Sequence, residues 1–208
     1  MSNPIVEFVS WAATPAYVAD PTLLQPVIDI IKNSDGNLGI FTGLVEEDNS
    51  TLYMAIVWQS FEHHQKLMDD KITYGKLFEA LAPVSLHAGS DIQMHHVEFG
   101  GANVVPAFTS GTTEYTIVTL KEGKTNADLL PVINNLIEMF KEDDSATYPG
   151  VAGPVKEDPR TYVLALGWKN SQLHMAAAVN PAYQPTFAAF REVVDFKRMV
   201  HIKLVQAH

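Results

Sequence analysis

The two halves of the chain carry the same residues at a constant spacing, and this repeat restricts the possible folds more than any other feature. Seven residues of the first half recur 110 positions later. They are Gly43, Glu47, Asp48, Thr51, Ala55, Trp58 and His64, which recur as Gly153, Glu157, Asp158, Thr161, Ala165, Trp168 and His174. Because the matches keep their order, they indicate a tandem duplication. We predict a first repeat over residues 1–100, a linker over 101–113 and a second repeat over 114–208.

Each half has the same predicted order of strands and helices. A strand opens each half, at 5–11 and at 115–120, and an apolar stripe at helical spacing follows it. A second strand, a charged turn and a third strand ending at Trp58 or Trp168 come next. A second helical region and a last strand, at 93–99 and at 198–205, complete each half. The order β-α-β-β-α-β is that of the ferredoxin-like unit.

The third strands are apolar on both faces, which predicts how the two repeats combine. In the first half, one face carries Leu52, Met54, Ile56 and Trp58, and the other carries Tyr53, Ala55 and Val57. A four-stranded sheet with helices on one face leaves its other face bare, and a second sheet can cover that face. We therefore predict an α+β fold in which two ferredoxin-like repeats form one pseudo-symmetric α+β barrel with helices outside. A single chain would suffice to close this barrel, and further pairing of chains is left open.

Composition excludes several classes of function. The 208 residues carry a net charge of −10 without a basic cluster, which argues against a nucleic-acid partner. Cysteine is absent, so disulfides, thiol nucleophiles and thiolate ligands are excluded. No apolar stretch approaches the roughly 20 residues of a membrane span, and the N-terminal residues lack a secretory signal. We expect a soluble, cytoplasmic protein without a membrane or nucleic-acid partner.

A short motif after each third strand resembles a known superfamily. It reads Trp58-Gln59-Ser60-Phe61-Glu62-His63-His64 in the first half, and Trp168-Lys169-Asn170-Ser171-Gln172-Leu173-His174 in the second. The chain resembles the dimeric α+β barrel superfamily, and most closely its antibiotic biosynthesis monooxygenase-like branch, as a fused tandem repeat. The resemblance implies the barrel fold. The superfamily includes cofactor-free oxygenases, haem degraders, cyclases, decarboxylases and stress proteins, so it leaves the activity open.

Candidate catalytic residues come from the strands. Alternation along the last strands places His96 and Glu98 on the face predicted to line the barrel interior, together with His201. Imidazole suits proton transfer near neutral pH, and Glu98 would orient His96. Glu7 lies between apolar residues of the first strand, where burial would make it a base. Its predicted counterpart in the second half is Thr116.

Candidate substrate-binding residues lie on strand faces that we predict to line the barrel interior, or follow those strands. They are Trp58, Trp168, Met94, Met199, His64 and Tyr162. Adjacent histidines diverge on both strands and helices, so the pairs His63-His64 and His95-His96 do not predict a metal site.

Two functions remain open at this point. The first is an enzyme without a prosthetic group that oxygenates, or moves a proton to cyclise, an aromatic or polyketide-like substrate in a barrel pocket. The second is a non-catalytic binding or stress-related protein that holds a small hydrophobic ligand or haem. No cofactor is expected for the first function, whereas haem is a possible ligand of the second.

Overall fold

The computed structural model describes residues 3–208, and the chain divides into two compact units. Unit 1 comprises the chain through Gly101 together with Val205–His208, and unit 2 comprises Ala102–Leu204. The division falls between Gly101 and Ala102, inside the predicted linker over 101–113. The last four residues belong to unit 1 and not to the second repeat. The predicted linker over 101–113 contains a short helix and the first residues of a strand.

Unit 1 is a ferredoxin-like α+β unit whose helices follow its first and third strands. Its elements are β1 (Ile5–Ala12), α1 (Pro15–Ala19), a 3-10 turn (Pro21–Leu24), α2 (Gln25–Lys32), β2 (Asn37–Leu44), β3 (Thr51–Trp58), α3 (Phe61–Asp69), α4 (Lys71–Leu81) and β4 (Gln93–Val97). The antiparallel strands lie in the order β4-β1-β3-β2.

Unit 2 repeats this arrangement. Its elements are α5 (Val105–Phe108), β5 (Thr112–Leu120), α6 (Asn126–Met139), β6 (Ala146–Val155), β7 (Asp158–Trp168), α7 (Ser171–Ala178), α8 (Gln184–Arg191) and β8 (Val194–Ile202). The strand order is β8-β5-β7-β6, again antiparallel. The C-terminal strand β9 (Val205–Gln206) belongs to unit 1, where it pairs with β2.

The predicted fold class, α+β with two ferredoxin-like repeats, is confirmed. The second helical region is two helices in each unit instead of one. The closure of the two sheets into one barrel stays a prediction. Within residues 3–208 no helix is long and apolar enough to cross a membrane.

Each unit has its own hydrophobic core between the sheet and the helices. In unit 1, Met54, Ile56 and Trp58 of β3 pack with Val27 and Leu67 of the helices. In unit 2, the equivalent residues of β7 pack with α6, α7 and α8. In each unit, the face of the third strand that carries Trp58 or Trp168 is therefore the face covered by helices. The prediction that this face lines the interior between two sheets is wrong.

Candidate active site

A buried polar network lies between the sheet and helix α3 of unit 1. It consists of Glu7, Trp58, His64 and His96, each at most 4% exposed. Trp58 Nε1 donates a hydrogen bond to Glu7 Oε2 over 2.8 Å. His64 Nε2 lies 3.5 Å from the same oxygen, and His64 Nδ1 lies 2.7 Å from His96 Nε2. The network is a chain from indole to carboxylate to imidazole to imidazole.

Strand register brings these side chains together. Glu7 is the pairing partner of Ile56 on β3 and of His96 on β4. Trp58, two residues beyond Ile56, therefore emerges on the same face as Glu7. Helix α3 begins immediately after β3, so His64 reaches back over Trp58, with ring centres 5.2 Å apart and planes 15° apart.

Unit 2 contains the same network, built from Glu114, Trp168, His174 and His201. Trp168 Nε1 donates to Glu114 Oε2 over 3.1 Å, and His174 Nε2 lies 3.2 Å from that oxygen. His174 Nδ1 lies 2.6 Å from His201 Nε2. Glu114 pairs with Leu166 and His201, just as Glu7 pairs with Ile56 and His96. The two networks are equivalent residue by residue.

In the second network the carboxylate also accepts a hydrogen bond from a threonine hydroxyl. Thr116 Oγ1 donates to Glu114 Oε1 over 2.8 Å. By register the unit 1 equivalent of Thr116 is Val9, which has no hydroxyl group. The carboxylate of unit 2 is therefore held at both of its oxygens.

The start of helix α7 places His174 over Trp168. The N-cap is Asn170, whose side chain accepts a hydrogen bond from the Leu173 backbone N–H. Ser171 is the first residue of the helix. A capped first turn fixes the helix direction directly after the strand, which sets the position of His174.

The cavities beside the two networks differ in size. The unit 2 cavity has a volume of about 240 Å³ and is lined by Glu114, Thr116, His174 and apolar side chains. These apolar residues include Leu136, Phe140, Leu164, Phe187, Phe190 and Met199. The unit 1 cavity, beside Glu7, Trp58 and His64, has a volume of about 40 Å³. Both volumes lie between sheet and helices within their own unit.

The predicted counterpart of Glu7 is wrong. Glu7 corresponds to Glu114 and not to Thr116, because strand register matches residues 107 positions apart at this point. Both halves therefore contribute a carboxylate to the network. What differs is the side chains around it.

The face assignment of the last strands is also wrong. His96 and His201 are buried against the helices, where they bond to His64 and His174. Glu98 is exposed and lies beyond the end of β4, so it does not share the buried position of His96. The proposed orientation of His96 by Glu98 is therefore overturned.

The predicted substrate-binding residues separate into three groups. Trp58, His64 and Met94 line the narrow unit 1 cavity, and Met199 lines the wider unit 2 cavity. Trp168 is fully buried behind Glu114, as its hydrogen bond shows. Tyr162 lies in the unit 2 core, where burial raises the pKa of its phenol, and it does not line the cavity.

Three residues of the unit 2 site were missed as candidates, namely Glu114, His174 and Thr116. The repeat carried a signal for two of them. His174 is the 110-residue counterpart of His64, and Glu114 follows from Glu7 once the opening strands are aligned by register. No sequence signal distinguished Thr116 as a donor to a carboxylate.

Glu7, His64 and His96 each present a potential metal-ligand atom, and these atoms lie within 4.8 Å of one another. Their geometry is nevertheless that of a hydrogen-bonded chain. His64 uses one ring nitrogen toward Glu7 and the other toward His96. A metal site needs one atom from each ligand directed at a common point, so the arrangement favours proton sharing over coordination.

Comparisons with known proteins place the fold. No known family model matches the chain, and no curated protein matches it. A provisionally assigned monooxygenase from Fusobacterium nucleatum has a TM-score of 0.69 at 10% identity, covering 98% of this chain and 93% of that one. An anthrone oxidase-like protein has a TM-score of 0.72 at 12% identity, covering 99% and 92%. A provisionally assigned chlorite dismutase has a TM-score of 0.60 at 7% identity, covering 99% and 96%.

Identities this low establish the fold and leave the activity open. The structural matches extend over nearly the whole tandem chain and over nearly the whole length of the matched proteins. The chain therefore shares the fold of these monooxygenase-type and anthrone oxidase-like structures over nearly its whole length.

Proposed function

We propose that the protein is a small-molecule enzyme without a prosthetic group, and that unit 2 removes a proton from a small aromatic substrate. One observation carries the proposal. A buried carboxylate, Glu114, borders an apolar cavity of about 240 Å³ and belongs to a chain with two imidazoles. An apolar cavity with a few polar groups at one side is the usual form of a small-molecule site.

Glu114 is the group that accepts the proton. An ionised carboxylate offers about four lone-pair directions on its two oxygens. Oε2 faces Trp168 and His174, whereas Oε1 accepts one hydrogen bond, from Thr116. One acceptor direction of Oε1 therefore remains for a substrate proton. Both nitrogens of His174 are already used within the network.

The two imidazoles hold the carboxylate of Glu114 in position for proton transfer. His174 Nε2 lies 3.2 Å from Glu114 Oε2, and His174 Nδ1 lies 2.6 Å from His201 Nε2. A carboxylate only accepts hydrogen bonds, so His174 Nε2–H donates to Glu114 Oε2, and the proton taken from the substrate stays on Oε1. General acid–base groups positioned in this way contribute about 10²–10⁴-fold to a rate.

Proton removal is the first step of both reactions considered for this fold. A weak carbon acid or phenol that loses its proton becomes an electron-rich anion. That anion can attack a carbonyl group of the same molecule, which is cyclisation, or react with dioxygen as co-substrate, which is oxygenation. The similarity to an anthrone oxidase-like protein and to monooxygenase-type structures favours the second outcome.

The size of the cavity limits the substrate. An apolar cavity of about 150 Å³ holds a benzene molecule. The unit 2 cavity of about 240 Å³ therefore has room for more than one unsubstituted ring. Phe140, Phe187 and Phe190 line it and provide aromatic edges and faces for such a ligand.

Haem, the other ligand expected for a binding protein of this kind, does not fit the residues of this site. The cavity is only modestly larger than one that holds a single ring, whereas haem is a four-pyrrole macrocycle. The imidazole that faces the cavity, His174, has both ring nitrogens engaged by Glu114 and His201. No axial ligand is therefore presented to an iron atom there.

Ligand binding without turnover is the second candidate, and unit 1 favours it. That unit keeps the same four polar residues beside a cavity of only about 40 Å³. In unit 1 the network therefore contributes to the structure of the protein, because the cavity beside it is too small for a substrate. If the same holds in unit 2, its cavity binds a ligand that is released unchanged.

Replacing Glu114 by Gln tests the proposal, because the amide keeps the shape of the side chain and removes the base. With anthrone and with substituted phenols as probes, we expect oxygen uptake to fall about 10²–10⁴-fold in Glu114→Gln. Glu7→Gln, the same change in unit 1, is the matched control and should leave uptake unchanged. Ligand binding should survive in both variants.

Two results would contradict the proposal. Equal turnover by Glu114→Gln and the unchanged protein would show that Glu114 is not the base. Binding of the probes in the unit 2 cavity without any turnover, by any of the three proteins, would favour ligand binding as the function.

A further inference from the structure

We propose that Arg191 binds an anionic group of the substrate, so that the unit 2 site selects aromatic compounds carrying a carboxylate or similar anion. This inference rests on the proposed occupation of the unit 2 cavity by a small aromatic molecule, and it names the chemical class of that molecule.

Arg191 is placed at the solvent side of the cavity. It is the last residue of helix α8, it is exposed, and it lines the cavity together with Phe187, Phe190 and Phe196. Its guanidinium carbon lies 5.8 Å from the centre of the Phe187 ring. Stacking over a ring restricts the side chain and leaves the N–H groups at the guanidinium edge available for an acceptor.

The charges around the cavity are arranged with opposite signs at its two sides. Among the described residues that line it, Arg191 is the one with a basic side chain that is always charged, and Glu114 is the one acid. Glu114 is 6% exposed, so it lies on the buried side. An anionic substituent would be repelled by Glu114 and attracted by Arg191.

This arrangement orients a bifunctional substrate. A carboxylate accepts two parallel hydrogen bonds from a guanidinium group, which fixes direction as well as position. With the anion at Arg191, the aromatic body lies among the phenylalanines and the acidic proton faces Glu114. Orientation of this kind holds the reacting atoms together before the proton moves.

Unit 1 lacks the arginine as well as the space. The second-half residue Tyr183 corresponds to Tyr74 at an interval of 109, and the same interval matches Arg191 with Ala82. The residues that line the unit 1 cavity include Glu7 and His64, and no lysine or arginine is among those described. Arg191 therefore lies in the unit that has the open cavity, whereas the polar network is present in both units.

The test compares two ligands of the same shape, 2-naphthoate and the neutral 2-naphthamide, with benzoate and benzamide as a smaller pair. Dissociation constants are measured by calorimetry or by NMR titration at low salt. We expect the full-length protein to bind each carboxylate about tenfold or more tightly than its amide, as for a charge-assisted hydrogen bond. Arg191→Gln should bind both members of a pair equally. Lys156→Gln, which removes an exposed positive charge of unit 2 away from the cavity lining, should keep the preference.

The outcomes separate this inference from the proposed function. Equal binding of carboxylate and amide by the unchanged protein, or an unchanged preference in Arg191→Gln, overturns the role of Arg191 and leaves occupation of the cavity intact. Failure of all four probes to bind at millimolar concentration overturns both, because a cavity that excludes simple aromatic ligands of this size is not the proposed site.

Discussion

Units 1 and 2 place the same four polar residues in the same geometry, yet one encloses a cavity of about 240 Å³ and the other about 40 Å³. The hydrogen-bond distances along the two networks differ by only 0.1–0.3 Å. The polar network is therefore a shared structural element of both repeats. What makes one copy a candidate site is the size of the side chains that surround it.

Three equivalent positions carry a larger residue in unit 1 than in unit 2. By strand register and repeat interval, they are Trp11 and Val118, Leu67 and Ala177, and Leu77 and Thr186. The unit 1 residues of all three pairs line its narrow cavity. A fourth pair, Val9 and Thr116, exchanges an apolar group for the hydroxyl that holds Glu114. The cavity of unit 1 is therefore largely filled by side chains, whereas the equivalent cavity of unit 2 is open.

Exchanging the pair Leu67 and Ala177 should have the largest effect on this difference. Leu67→Ala opens the filled cavity, and we expect the free energy of unfolding to fall by about 2–5 kcal/mol, as in other buried leucine deletions. Ala177→Leu places a bulky group in the unit 2 core one helical turn after His174, and we expect it to abolish binding of 2-naphthoate. Chemical denaturation and calorimetry measure the two effects.

The comparison would be weakened if Ala177→Leu bound 2-naphthoate as well as the unchanged protein. In that case the volume beside His174 would not be the volume that the ligand uses. Met175→Leu, a change at an exposed position of the same helix, is the control and should alter neither quantity.

Removing the second histidine of each network should have an intermediate effect on stability. His96→Ala and His201→Ala each leave a buried imidazole of His64 or His174 without its partner. We expect a loss of about 1–3 kcal/mol in each. Only His201→Ala should also reduce turnover, because only its network borders the open cavity. Thermal unfolding and oxygen uptake, measured on the same samples, distinguish the two.

A strong loss of turnover in His96→Ala, with an unchanged melting temperature, would reverse the assignment of function to unit 2. Equal effects of the two variants on turnover would indicate that both units act together.

The smallest expected effect concerns the equivalent tyrosines Tyr74 and Tyr183. Tyr183 donates a hydrogen bond of 2.8 Å to Asp143, whereas Tyr74 packs edge-on against Phe78. Burial raises the pKa of Asp143, but hydrogen bonds from Ser145 and Tyr183 outweigh burial and leave that pKa lowered. The stability that this gives is present above the ordinary pKa of about 3.9 and is lost as the pH falls through the lowered value.

We therefore expect Tyr183→Phe to lower the free energy of unfolding at pH 7 by about 0.5–1.5 kcal/mol. The difference from the unchanged protein should shrink below pH ~4 as Asp143 becomes protonated. Tyr74→Phe, without such a partner, serves as the control. A Tyr183→Phe loss that is the same at pH 3 and pH 7 would show that Asp143 is not involved.

The repeat in the sequence was sufficient to predict the two ferredoxin-like units, and the end of β3 at Trp58 was predicted to the residue. Apolar periodicity carries this information because helices and strands bury different spacings of residues. Faces were harder to predict. Strand β4 has one histidine on each face, so alternation alone could not say which face the helices cover.

The sequence by itself determined the duplication, the α+β class and the presence of Glu7, Trp58, His64 and His96 as candidates. Only the tertiary structure decided that these four residues meet, that Glu114 and His174 repeat them, and that the second copy faces an open cavity. The physical reason is that periodicity reports which side of an element is buried. Hydrogen-bonded contact between β1, β3, α3 and β4 depends instead on strand register, and cavity volume depends on the fit of side chains from several elements.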